Sequence, residues 1–195
     1  MNSGFFERMV AYILDIFIVS LVFSLVVSGL SADTETSEKM TKLTENFSNS
    51  GITQEKYIEE YNNLLYESQK NYVIANSCQV ILFIGYFVVF QALNKGQTIG
   101  KKLLKIRVVD NETNNPANMK QIILRSLFIY NVISMILSIL LVYIIPKNNY
   151  FVGVSLITII ESIFIIITTI MVVYRKDKRG LHDIIGKTKV ISERG

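Results

Sequence analysis

Charged side chains inside long apolar runs are the residues of this sequence best placed to do chemistry. Asp15 stands in the apolar window 9–30, Arg125 in 122–145 and Glu161 in 150–174, while a fourth window, 72–93, carries no charge. A carboxylate in hydrocarbon costs about 2.5 to 3.5 kcal/mol on insertion scales, so such a group faces protein or water rather than lipid. Arg8 precedes Asp15 by seven residues. That spacing advances an α-helix by about 700°, which sets both side chains on nearly one face, with Tyr12 between them. Arg125 enters its window from the same side and can reach the depth of Asp15. Two chemistries are open: an ion or proton relay through Asp15 and Glu161, or an Arg–Asp network that fixes helix packing.

Two other motifs invite a catalytic reading and lose it. Gly96, Gln97, Thr98, Ile99, Gly100 and Lys101 look like a phosphate-binding loop. The run is one residue short, lacks Ser or Thr after the Lys, and leaves an apolar span instead of a strand. Its glycines suit a tight exit from the second window. His182 beside Asp183 pairs a base with an orienting carboxylate, yet no nucleophile or ligand set stands at a recognisable spacing. A structural hydrogen-bonding role is the stronger reading. With one His and one Cys in the chain, no intrachain disulfide, metal, cofactor or enzymatic activity is expected. Asn76, Ser77 and Gln79 read as polar glue between helices.

The elements that must hold these residues follow from composition. Of 195 residues, 50% are hydrophobic and only 18% charged, against about a quarter charged in soluble domains. Each of the four windows exceeds the roughly 20 residues that span a bilayer as a helix. The first also carries small residues at Ser28, Gly29, Ser31 and Ala32 that imitate a signal-peptide cleavage site. Its length and its Asp15 argue instead for a retained helix. Charge sets the expected orientation. Segment 31–71 has four Lys against eight acids, whereas 94–121 has six basic residues against two acids and 175–195 seven against three. Basic residues collect in short cytoplasmic loops, which places 31–71 outside and both termini inside. The net charge of +4 then serves topology and anionic headgroups at the cytoplasmic face, and nucleic acid is not expected.

Between the spans, Met40, Leu43 and Phe47, then Tyr57, Tyr61, Leu64 and Leu65, fall at helical spacing around a break at Ser48–Gly51. This predicts an external helical hairpin with Thr53 as an N-cap, its apolar stripe packed on itself, on the membrane surface or on a partner. Residues 98–106 mix apolar positions with Lys101, Lys102 and Lys105 in the manner of an interfacial helix. Residues 106–109 and 188–191 read as short strands able to pair. The expected fold is an all-α membrane protein of four transmembrane helices, one domain over 1–195, with the hairpin outside and a small cytoplasmic cap.

Three blocks carry a family resemblance: Gly4 to Asp15, Asn94 to Val109, and Arg179 to Gly186. In this order, on this topology, they resemble the RDD family of bacterial membrane proteins, whose arginine and two aspartates map to Arg8, Asp15 and Asp183. The resemblance implies a multi-pass protein of the bacterial cell membrane and a transport role, with sodium/proton antiport proposed for some members. Two functions stay open: an ion- or proton-linked transport component that needs a homo-oligomer or partner subunit, and a non-catalytic scaffold or assembly protein.

Overall fold

The computed structural model describes residues 2–28 and 34–194. The end of the first window and the small residues Gly29, Ser31 and Ala32 lie outside them.

Helix α1 (Phe5–Val27) begins four residues before the expected window, because Glu7 accepts hydrogen bonds from the Gly4 amide at 3.3 Å and the Ser3 hydroxyl at 2.8 Å. This satisfies donors that a helix start leaves unpaired. Helices α2 (Thr34–Ser48) and α3 (Gln54–Asn71) form the expected hairpin, with the Thr53 side chain capping α3 through the Lys56 amide. The stripe packs on itself and on its own chain. Phe47, Tyr57 and Tyr61 stack in series, and Tyr61 meets Phe151 edge-on. Asn62 clamps the loop between the last two long helices, donating to the Asn148 carbonyl and accepting from the Phe151 amide. Lys147–Glu67 and Tyr66 on the Val142 carbonyl complete the docking.

Helix α4 (Val73–Ile84) continues through a π-helical stretch, Gly85–Phe90, into the single turn α5 (Gln91–Leu93). A π segment inserts a residue into the turn and often marks a functional position. Phe87, Val88 and Gln91 are buried there. Helix α6 (Ile99–Leu103) follows, then β1 (Ile106–Asp110).

The third window is not one straight helix. It divides into α7 (Met119–Ile129) and α8 (Val132–Ile144), which meet at 64°. Asn131 causes the break by adopting a left-handed conformation at φ 57°, which Asn tolerates better than the branched residues around it. A one-turn 3₁₀ segment leads into α9 (Tyr150–Tyr174). The chain ends in α10 (Leu181–Ile185) and β2 (Thr188–Ser192), which pairs antiparallel with β1 from Ile106↔Ser192 to Asp110↔Thr188. The Ser3 amide donates to the Val190 carbonyl, so the N-terminal residues join this sheet.

Three helical runs are long and apolar enough to cross a membrane, Phe5–Val27, Val73–Leu93 and Lys147–Tyr174, and a fourth crossing results if the bent α7–α8 pair counts as one. Their outer faces agree with lipid. Ile160, Ile166 and Leu25 are more than half exposed, an apolar surface that water would penalise. The cores lie inside: Ala11, Val88, Ile106, Val108, Ile122 and Val190 near the sheet, and Val19, Val80, Phe87, Tyr130 and Val132 deeper along the helices.

Candidate functional site

Two buried carboxylates, each inside its own set of donors, organise the sheet end of the helices. Asp183, on α10, is fully buried. Its Oδ2 accepts from Arg8 Nη1 at 2.8 Å and the Gly180 amide at 3.1 Å, while Oδ1 accepts from Arg125 Nη1 and, at 3.4 Å, from the Thr188 hydroxyl. Helices α1, α7 and α10 are thus tied through one carboxylate to β2. His182 Nε2 lies 3.4 Å from the same carboxylate. Burial above all, with Arg125 and Arg8 nearby, lowers His182 to about 3, which leaves it neutral. It belongs to the latch that Asp183 forms with Arg8 and Arg125, a structural role.

Asp15 forms the second center. Its Oδ2 accepts from the Thr98 hydroxyl at 2.5 Å, and its Oδ1 accepts from the Tyr86 hydroxyl and the Gly100 amide, each at 2.7 Å. Tyr86 OH accepts in turn from the Ile99 amide. The loop that imitates a phosphate cradle therefore cradles a carboxylate of its own chain. Lys101 departs from the expected interfacial pattern. Helix α6 turns Ile99 and Leu103 outward and buries Lys101, whose Nζ donates to Tyr130 OH at 2.8 Å and lies 3.3 Å from the Thr98 hydroxyl. Burial is the largest influence on it and lowers its pKa to about 7, against the pull of Asp15.

Close approach makes this joint sensitive to a single methyl group. A Cβ on Gly100 would stand 2.3 Å from the Ala11 carbonyl oxygen and 2.8 Å from Asp15 Oδ1. Gly100→Ala is therefore expected to push α6 off α1 and cost about 1 to 3 kcal/mol. Gly85→Ala, with nothing within 4 Å of its Cβ, serves as the control. Thermal unfolding in detergent compares them, and equal midpoints would contradict the packing described.

Arg8 and Asp15 share a face of α1 but not a partner, and Ala11, not Tyr12, is the fully buried residue between them. Tyr12 points into two cavities. The first, at the sheet end, has a volume of about 370 Å³, with Arg8, Lys101, Arg125 and His182 on its charged side. The second, about 380 Å³, runs toward the hairpin end past Ser134, Gln79 and Asn76 and contains Glu161. Both are lined by Tyr12, Tyr130 and Asn131. The rings of Tyr12 and Tyr130 stack at 6.0 Å, and Tyr130 stacks on Phe87 at 3.7 Å. Glu161 has no hydrogen bond or ion pair among the described residues, and Asp15 lines neither cavity. Among the described residues no group of three or more His, Cys, Asp or Glu could hold a metal ion.

The chain matches the RDD family over residues 3–187. It belongs to the RDD family. No curated protein and no solved structure matches it. Family and apolar helices together make it a multi-pass membrane protein. In this RDD-family chain Arg8 and Asp183 meet directly, whereas Asp15 anchors the loop of Gly96, Gln97, Thr98, Gly100 and Lys101. Gln97 secures that loop to the sheet by donating to the Ile106 carbonyl and to Glu193. Gly96, at φ +86°, brings its backbone against Val108, where a Cβ would lie 2.2 Å from the carbonyl oxygen. Sequence reasoning missed Tyr86 and the Tyr130–Asn131 break. The only sign of the break was a polar residue, Asn131, within an apolar run.

Proposed function

We propose that this RDD-family protein is a transport component rather than an enzyme, embedded in a bacterial cytoplasmic membrane as four spans with both termini inside. One observation supports this most: a helix broken at Tyr130–Asn131 separates two cavities that approach the same three residues from opposite ends. Helices interrupted within the membrane, with non-helical backbone facing a cavity, recur in transporters at the substrate site. The charge asymmetry supports an orientation with the hairpin end outside and the sheet end inside. Glu161 is the carboxylate suited to couple ions or protons. It lines the hairpin-end cavity and has no hydrogen bond or ion pair among the described residues, whereas Asp15 and Asp183 already hold three or more donors each. The stacked Tyr12–Tyr130 pair separates the cavities and acts as the gate. The scaffold reading has less support, since most of the hairpin's aromatic stripe is spent on the chain itself.

Flux decides the matter. In proteoliposomes, a pH gradient is expected to drive Na⁺ or K⁺ movement through the parent protein, and Glu161→Gln is expected to reduce it to background while leaving thermal stability within about 0.5 kcal/mol, because no buried partner is lost. No flux from well-folded parent protein would overturn the reading, and undiminished flux in Glu161→Gln would remove the role of Glu161.

A further inference from the structure

The sheet-end cavity gathers cationic side chains, and among the described residues several of their donors have no acceptor. Arg8, Arg125 and Lys101 line it, and Asp183 is the carboxylate set against the two guanidiniums. That carboxylate is fully engaged by Arg8, Arg125, Gly180 and Thr188. Among the described residues Arg8 Nε and Nη2 and Arg125 Nε are buried without an acceptor. Buried polar groups nearly always have partners, and guanidinium N–H groups match phosphate geometry especially well. Thr168 Oγ, also buried and unpartnered, lies on the α9 wall of the same cavity. Between α1 and α9 the wall is largely apolar. Phe5 and Met9 of α1 face Ile165 and Val172 of α9, and the outer surfaces of these two helices nearby carry Phe6 and Ile166, 74% and 58% exposed.

We infer that this cavity is a binding site for an anionic phospholipid, its phosphate held by Arg8 and Arg125 and an acyl chain lying along the apolar wall between α1 and α9. The depth is appropriate. Arg8 opens α1 and Val172 nearly closes α9, which sets the cationic wall at the end of the helices, at headgroup level. Basic pockets between transmembrane helices hold anionic headgroups in this position. The volume of about 370 Å³ is within the range of small-molecule sites. The site does not depend on transport, because binding is read without flux.

Delipidated full-length protein in a neutral detergent is titrated with dihexanoyl phosphatidylglycerol, with dihexanoyl phosphatidylcholine and with glycerol 3-phosphate, and binding is followed by calorimetry and native mass spectrometry. Phosphatidylglycerol is expected to bind about tenfold or more tightly than either of the others. Thr169→Phe, which fills the cavity from a half-buried position without touching the ion pairs, is expected to weaken it by a similar factor at unchanged lipid-free melting temperature. Arg8→Gln is expected to erase the preference over phosphatidylcholine. Equal binding of the two lipids by the parent, or parent-like binding by Thr169→Phe, would overturn the site. Glycerol 3-phosphate binding as tightly as the lipid would overturn the acyl-chain half and assign the cavity to a soluble phosphate ester.

Discussion

Asp183→Ala is expected to remove about 3 to 5 kcal/mol of stability, because it strands two buried guanidiniums that share one carboxylate. Against a total of about 5 to 15 kcal/mol for a folded domain, most of the protein should be lost as aggregate when extracted in detergent. Asp177→Ala gives the contrast, since its pair with Arg175 is exposed and worth at most about 1 kcal/mol. The pH profile offers a second reading of the same latch. Burial raises the Asp183 carboxyl, but Arg125, His182, Arg8 and the Gly180 amide more than offset this and hold it well below the usual carboxylate range. A carboxyl depressed by folding binds fewer protons folded than unfolded. Its stabilisation is therefore complete above about pH 4 and lost as pH falls below that. His182, held at about 3, refuses a proton that the unfolded chain accepts below about pH 6.5, so it begins the decline earlier. Unfolding midpoints should fall in two limbs, and His182→Gln should remove the first. A parent profile flat from pH 7 to 4 would contradict the neutral buried imidazole.

Asp15→Asn is expected to be nearly as damaging, despite keeping the shape of the side chain. Three donors converge on the carboxylate, from Thr98, Tyr86 and Gly100. An amide presents one oxygen and one donor group, so one hydroxyl must turn from donor to acceptor, and the Thr98 oxygen already accepts from the Lys101 amide and ammonium. Hydrogen bonds to a charged group are worth about 1.5 to 3 kcal/mol each, and a buried donor left without an acceptor costs a similar amount. A loss of about 3 kcal/mol in chemical or thermal unfolding is the expected outcome, with Thr98→Val losing less. An Asp15→Asn variant as stable as the parent, yet without flux, would return Asp15 to the relay from which its hydrogen bonding removes it.

Much of the architecture was legible because it rests on periodicity and charge. The four windows, the hairpin with its Thr53 cap, and the two strands at 106–109 and 188–191 all follow from local patterns. The break at Tyr130–Asn131 did not, because an apolar run of that length satisfies the spanning criterion whether straight or bent. The left-handed turn at Asn131 sits where tertiary contacts gather: Phe87, Tyr12 and Lys101 all converge on Tyr130 from other helices. For the charged residues, helical spacing told which face of α1 Arg8 and Asp15 occupy but not what meets that face. Their partners come from residues 86–100 and 183, and long-range pairing leaves no periodic mark. Lys101 was misplaced for a related reason. An amphipathic pattern does not say which side of a short helix faces lipid, and here the buried Asp15 and Tyr130 draw the ammonium inward.

The bond between Arg8 and Asp183 joins residues 175 positions apart, and this has a consequence for how the protein is made. Arg8 leaves the ribosome well before Arg125, and both precede Asp183. Until Asp183 emerges, both guanidiniums wait without their carboxylate, and the sheet lacks β2. The earlier helices can enter the bilayer in turn, but the bundle cannot lock at this end until α10 arrives. A nascent chain stalled before that point would keep two arginines between its helices without the carboxylate that pairs them. Late closure by a distant residue thus makes the finished latch a check that translation has passed through α10.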